Sequence, residues 1–214
     1  MKKQIPNGLY AITAENFSNG KNNITIVNEM LDAGIKIIQY RDKYKTKLEK
    51  LKQCETIRKL TLNYKCIFIV NDDIDIALNI DSDGVHLGQN DLHIKKARKI
   101  VGNNIIIGIS THSQEQAKLA VKFGADYIGV GPIYKTFTKK NVTNPVGLKY
   151  LDFCTKNINI PKIAIGGIKL SNISKICKYK PENICMVTEI TASQNIKRTI
   201  KKAQKIISGD KEND

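Results

Sequence analysis

A chain of 214 residues suits one domain of ordinary size, and nowhere does it hold the ~20 consecutive apolar residues that cross a bilayer. Its formal charge of +15 would fit a polyanion partner, but the lysines are spread over nearly every expected helix, aromatics make up 6% and Trp is absent. That leaves no basic stripe and little to stack on bases, so neither nucleic acid nor a membrane is expected as a partner.

The opening MKKQIPNGLY has a basic pair without an apolar signal core behind it, so a cytoplasmic location is expected. From there strand and helix alternate. Gly8 to Thr13 reads as a first strand. Ile24, Val27, Met30 and Leu31 recur at helical spacing in a helix from Ile24 to Ala33, which Gly34 stops. Strand two, Ile35 to Tyr40, precedes a Lys-rich helix from Leu48 to Leu62, and strand three, Cys66 to Val70, a short helix from Ile74 to Leu78. Strand four, Gly84 to Leu87, leads to a helix from Leu92 to Val101, and strand five, Ile105 to Ile109, to one from Ser113 to Phe123.

Strand six, Tyr127 to Val130, is followed by a long loop before the next helix begins near Gly147. Loops of that length in a small domain are usually functional, and Tyr134 to Thr143 is expected to close as a lid. Strand seven, Lys162 to Ile165, runs into GGIKLSN, where Ser171 suits a helix cap. Strand eight, Ile184 to Val187, precedes a terminal helix from Ser193 to Ile207, and the polar tail 209–214 is expected to fray. Eight strands with helical crossovers imply one (β/α)8 TIM barrel spanning 1–214, with an open doubly wound sheet as runner-up. In a barrel, all the strand C-termini meet on the face where such enzymes place their active sites.

The polar groups gathered at those termini read as an anion and metal site. Gln39, Arg41 and Lys43 alternate after strand two, so period-two geometry aims an amide and two cations at one point, as a diphosphate requires. Asn71, Asp72 and Asp73 end strand three, and Asp91 closes the Gly88-Gln89-Asn90-Asp91 run after strand four. Asp72 and Asp91 together would suit a hard cation such as Mg2+ bridged to phosphate, although Asp91 could equally cap a helix. Thr136, Thr138, Lys139 and Lys140 make the loop after strand six a candidate phosphate binder, and Gly166-Gly167 a candidate phosphate cradle. His86, His93 and His112 show no ligand or triad spacing and are expected to be structural or exposed. The five cysteines lack metal-ligand spacing and read as reduced thiols, of which Cys66, Cys154 and Cys185 lie in apolar runs and are expected to pack in the core.

In this order, the stretches Gln39-Tyr40-Arg41-Asp42-Lys43, Val70-Asn71-Asp72-Asp73, Asp83 through Asp91, Gly108-Ile109-Ser110, Gly124-Ala125-Asp126-Tyr127, Gly131 through Lys139 and Ile165-Gly166-Gly167-Ile168 resemble the thiamine-phosphate synthase family along essentially the whole chain. The resemblance implies a transferase that couples hydroxymethylpyrimidine diphosphate to a thiazole phosphate, giving thiamine phosphate and pyrophosphate by dissociative substitution. It implies small-molecule partners and Mg2+ held by Asp72 and Asp91. Gln39, Arg41, Lys43, Asn71, Ser110 and Lys139 would hold the pyrimidine diphosphate, with Arg41, Lys43 and Lys139 stabilising the leaving group. Thr136, Thr138, Gly167 and the backbone of Val187 and Thr188 would hold the thiazole phosphate. Two alternatives are a related thiazole tautomerase, which carries a histidine where this loop has Pro132, and a non-catalytic barrel that binds phosphorylated metabolites. Assembly as a homo-oligomer is left open. One departure stands out: after strand eight the family pattern Val-Ser-Ala-Ile is replaced by Val187-Thr188-Glu189-Ile190. Strand alternation then points Glu189 away from the phosphate, toward the N-terminus of the last helix.

Overall fold

Eight short parallel strands close on themselves in chain order in the computed structural model, which describes residues 3–138 and 143–210. They are β1 (Gly8–Ile12), β2 (Ile37–Tyr40), β3 (Ile67–Asn71), β4 (Gly84–Leu87), β5 (Ile106–Thr111), β6 (Tyr127–Val130), β7 (Lys162–Ile165) and β8 (Asn183–Met186). Ala11 of β1 pairs with Ile38 of β2, and Tyr10 pairs with Cys185 of β8, so the sheet has no free edge and the fold is a (β/α)8 barrel. Closure excludes the doubly wound sheet.

Around the barrel lie α1 (Asn23–Asp32), α2 (Lys47–Asn63), α3 (Ile74–Asn79), α4 (Ile94–Val101), α5 (Gln114–Lys122), α6 (Gly147–Asn157) and α7 (Ile173–Cys177). After β8 come the one-turn α8 (Thr188–Thr191) and the terminal α9 (Ile196–Ser208). Among the described residues no helix is long and apolar enough to cross a membrane.

The strands fall within two residues of their expected bounds; the misplaced ends follow from capping. The start of α2 is set by a reciprocal capping box, in which Glu49 N–H donates to Thr46 Oγ1 and Thr46 N–H donates to Glu49 Oε2. Ser171 is not a cap. Asn172 stands at the start of α7, and its Oδ1 accepts the N–H of Lys169 instead of a helical one. The last helix starts at Ile196 instead of Ser193 because Asn195 Oδ1 accepts the N–H of Arg198 at 2.8 Å. Of the tail expected to fray, residues 211–214 lie outside the described residues.

Alternation along each strand sorts the apolar residues into two layers. Leu9, Ala11, Ile38, Phe68 and Val70 face outward into the large core beneath the helices, while Tyr10, Ile12, Ile37, Ile69 and Ile163 fill the barrel. Cys54, Cys66, Cys154 and Cys185 are buried in these layers, Cys177 is half-buried, and none of the five forms a disulfide.

Three acids close the end of the barrel opposite the strand C-termini. Asp83, just before β4, accepts the Phe68 N–H of β3 at 2.8 Å and pairs with Arg58 of α2 at 3.0 Å. Asp126, just before β6, accepts the Ile107 N–H of β5 at 2.7 Å and pairs with Arg98 of α4 at 2.7 Å. Glu182, before β8, accepts the Lys162 N–H of β7 at 2.9 Å and also takes the Lys162 ammonium. Burial works to raise the Glu182 carboxyl, but those two hydrogen bonds outweigh it and hold the group below its ordinary value. Each acid thus gives a strand start the acceptor that the sheet does not supply and ties it to a cation.

Asp83 is the most enclosed of the three, with its side chain 5% exposed. Asp83→Ala would strand Arg58 and the Phe68 N–H together, and is expected to cost about 3 to 5 kcal/mol. Thermal denaturation should register this as a drop of many degrees, and an unchanged melting temperature would contradict the clamp.

Candidate active site

The floor of the site is polar because the barrel interior contains two tyrosines. Tyr10 of β1 and Tyr127 of β6 are 1% and 0% exposed, and hydroxyls so enclosed need partners. Their oxygens meet at 2.9 Å. Gln39 Nε2 donates to Tyr10 at 2.8 Å, and His86 of β4 reaches Tyr127 through Nδ1 at 2.9 Å and Ser110 Oγ through Nε2 at 2.8 Å. Burial, foremost, pushes both phenols up, so both keep their protons. Gly108 makes room for this arrangement, since a Cβ there would lie 2.0 Å from the Tyr127 ring.

Above the floor a pocket opens at the C-terminal ends of the strands. Gln39, Arg41, Asn71 and Ser110 line it. Thr136, Thr138 and Gly167 line it too, together with Val187 and Thr188. Ile12, Ile163, Ile165 and Val187 add apolar surface. Arg41 is anchored through its backbone, its N–H donating to Thr13 Oγ1 at 2.9 Å. Its guanidinium is pulled below its ordinary pKa by burial, with Asp72 opposing the shift, and its Nε is buried without a partner among the described residues. An unpaired cationic donor in a pocket wall suits an anion.

Lys43 stands apart from Gln39 and Arg41, because β2 ends at Tyr40 and strand alternation no longer governs its direction. It lines a neighbouring cleft that shares Arg41, Ser110 and Thr138 with the pocket and also holds Asp91. There its ammonium is bonded to Asp72. Asp72 sits in left-handed backbone at φ 62, uncommon for a residue with a side chain. Burial raises its carboxyl, Lys43 works against that shift, and the nearby Asp91 adds to it. The two acids from adjacent loops therefore do come together. Asp91 does not cap α4, whose N-cap is His93; it instead accepts the N–H of Gly88 at 2.7 Å. Among the described residues, no group of three or more His, Cys, Asp and Glu side chains is placed to hold a metal ion.

Two loops build the far wall jointly. Ile133 N–H donates to the carbonyl of Ile165 at 2.9 Å and Tyr134 N–H to that of Gly166 at 3.0 Å, zipping the loop after β6 onto the loop after β7. Gly167, at φ 64, must be glycine here, because a Cβ would lie 2.5 Å from the Lys135 carbonyl oxygen. The Thr136 and Thr138 hydroxyls are 3.2 Å apart. Lys139 lies outside the described residues, as do 140–142 of the expected lid.

Glu189 faces away from the pocket, but not for the reason alternation gave. β8 ends at Met186, and Glu189 belongs to the first turn of α8. Its carboxylate turns to the loop after β7, accepting the Leu170 N–H at 3.0 Å, instead of serving the last helix, whose N-cap is Asn195. It thereby fastens the far end of the Gly166–Gly167 turn. Sequence reasoning missed Tyr10, Tyr127, His86 and His112, all of which line the pocket. A tyrosine in an interior strand position, with glycine on the neighbouring strand, was the available signal for Tyr127.

Residues 9–190 match the family model described as thiamine monophosphate synthase. The chain is 50% identical to the thiamine-phosphate synthase of Pelotomaculum thermopropionicum over 200 residues, 94% of this chain and 92% of that one. It is 46% identical to the thiamine-phosphate synthase of Caldicellulosiruptor bescii over 93% of this chain and 91% of that one. Its fold superimposes on the solved thiamine phosphate pyrophosphorylase of Pyrococcus furiosus with a TM-score of 0.87 and 33% identity, covering 94% of this chain and 96% of that one.

The raised Asp72 carboxyl carries a stability cost. A carboxyl that ionises less readily in the fold than in the unfolded chain makes stability fall as pH rises through the shifted range. Asn tolerates left-handed backbone, so Asp72→Asn keeps the loop and removes the charge. In buffer free of divalent cations at neutral pH, the variant should be more stable by about 0.5 to 2 kcal/mol and less sensitive to pH than wild type. A lower melting temperature would contradict this account of Asp72.

Proposed function

The chain belongs to the thiamine monophosphate synthase family and is by that membership a transferase, and from this premise we propose that its pocket joins hydroxymethylpyrimidine diphosphate to a thiazole phosphate. The bond from the pyrimidine methylene carbon to the diphosphate oxygen breaks, and its electron pair leaves with pyrophosphate. The thiazole nitrogen then gives its lone pair to the methylene cation, forming the carbon–nitrogen bond of thiamine phosphate. No protein nucleophile or general base is needed, which agrees with a site of amides, hydroxyls and cations.

Under this reading charge builds on the leaving group, and fixed donors that meet it there do the catalytic work. The buried Arg41 Nε carries the proposal: it is a cationic donor kept out of water with no partner among the described residues. Asn71, Ser110 and Lys43 would join Arg41 on the diphosphate, with Lys139 contributing as the resemblance implies. Gln39 would meet the pyrimidine from the floor. Thr136, Thr138, the Gly167 backbone and that of Val187 and Thr188 would take the thiazole phosphate. Apolar side chains such as Ile163 and Ile165 would keep water from the cation.

Mg2+ would be held by Asp72 and Asp91 and would neutralise charge on the departing diphosphate. Two carboxylates from the protein suit it, because Mg2+ is commonly bound by one or two carboxylates with substrate phosphate and water completing its shell. The reading also takes the protein to act on small molecules in the cytoplasm.

Purified protein given both substrates and Mg2+ should form thiamine phosphate and pyrophosphate in equal amounts, and Arg41→Ala should lower kcat by about 10²- to 10³-fold. Absence of turnover by the wild type would overturn the proposal. An Arg41→Ala variant with wild-type kcat would remove its main support.

A further inference from the structure

Four hydrogen bonds thread five side chains from five strands into one line: Gln39 of β2, Tyr10 of β1, Tyr127 of β6, His86 of β4 and Ser110 of β5. We infer that this line is a one-way relay, which fixes His86 as the Nε2–H imidazole and turns the Ser110 hydroxyl proton outward into the pocket. Tyr10, Tyr127 and His86 are then positioning residues that act through Ser110. The inference rests on the proposed function only for what Ser110 meets, namely the diphosphate; the order of protons belongs to the free protein.

The direction follows from counting donors. A side-chain amide nitrogen can only donate, so at 2.8 Å the Tyr10 oxygen accepts from Gln39 Nε2. Burial keeps Tyr10 and Tyr127 protonated, so each has one proton to place. That of Tyr10 is directed to the Tyr127 oxygen at 2.9 Å, and Tyr127 must then send its own to His86 Nδ1, also at 2.9 Å. An imidazole nitrogen that accepts is unprotonated, so the ring proton is on Nε2 and is given to Ser110 Oγ at 2.8 Å. Having accepted from His86, the Ser110 hydroxyl gives its own proton to the pocket. Its backbone is held as well, because the Ser110 carbonyl accepts from Gln89 Nε2 at 2.6 Å. The opposite order would point the Tyr10 proton at the amide nitrogen of Gln39, stranding a buried donor.

The consequence concerns the sign of the dipole presented to substrate. A free serine hydroxyl rotates and offers either a proton or a lone pair, whereas Ser110 is set to offer a proton before an anionic oxygen arrives. Such prior alignment is the source of electrostatic preorganisation. It reaches Ser110 from Tyr10, three hydrogen bonds away, through groups that need never change their charge.

Long-range 1H–15N correlation on protein labelled at histidine, free of metal and substrate, reads each imidazole tautomer directly, with His86→Gln assigning the signal. Wild-type His86 should be the Nε2–H form, and Nδ1–H there would overturn the relay. Tyr127→Phe keeps the ring that packs 5.5 Å from His86 but removes the proton that Nδ1 accepts, so the ring should stay Nε2–H while its Nδ1 signal moves to that of a ring nitrogen without a hydrogen bond; an unchanged Nδ1 signal in this variant would also count against the inference. In steady-state assays Tyr127→Phe should lower kcat/KM for the pyrimidine diphosphate about tenfold, but less than about twofold when made in a Ser110→Ala background. Equal losses in the two backgrounds would show that the relay does not act through Ser110. Were wild type unable to form thiamine phosphate, the proposed function would fall, while the spectra would still decide the relay.

Discussion

A hydrogen bond between two tyrosine hydroxyls inside the barrel sets what the rest of the site can be. Tyr10 and Tyr127 take interior positions that aliphatic residues hold on other strands, and meet at 2.9 Å. Because neither phenol can reach water, each must find a partner in the barrel, and Gln39 and His86 satisfy that need. The apolar packing that stabilises the barrel therefore ends in a layer of oriented polar groups directly beneath the strand C-termini. Gly108 makes this possible by leaving β5 bare where the Tyr127 ring crosses it.

Above that layer the design changes from hydrogen bonding to charge. Arg41, Lys43, Asp72 and Asp91 gather on the loops after β2, β3 and β4, where the sheet no longer dictates direction and side chains are placed by ion pairs and turns. The strain is local: Asp72 occupies left-handed backbone and holds a carboxyl that burial makes harder to ionise. Strain of this kind persists where surrounding structure enforces it and is concentrated at functional positions. At the other end of the barrel, Asp83, Asp126 and Glu182 use similar charges for a different purpose, tying strand starts to cations. The same residue types thus tie strand starts at one face and gather around the pocket at the other.

The barrel was legible in the sequence because each strand is an apolar run bounded by glycine or charge, and β4, β6 and β7 fall on their expected residues. Capping was harder to read. Ser171 and Ser193 looked like helix starts, yet Asn172 and Asn195 stand at the N-caps, a choice fixed by loop geometry that residue type alone does not contain. Glu189 shows the same limit. Its direction depends on whether Val187 continues the strand or begins a turn, and the turn won. Gln39 and Arg41 could be placed by alternation, as could the convergence of Asp72 and Asp91 from neighbouring strand ends. The stretches Asp83 through Asp91 and Gly124-Ala125-Asp126-Tyr127, matched as family motifs, turn out to contain Asp83 and Asp126 of the clamp beneath the barrel. His86 was passed over because its partners, Tyr127 and Ser110, are 41 and 24 residues away, and spacing motifs detect only near neighbours.

On the proposed function, the pyrimidine diphosphate binds where the floor of oriented hydroxyls meets the charged rim. A crystal structure of the protein with thiamine phosphate, pyrophosphate and Mg2+ tests this most directly. It should find pyrophosphate oxygens bonded to Arg41 Nε and Ser110 Oγ, with Asp72 and Asp91 on the metal. Pyrophosphate bound elsewhere, with Arg41 Nε still lacking a partner, would contradict it.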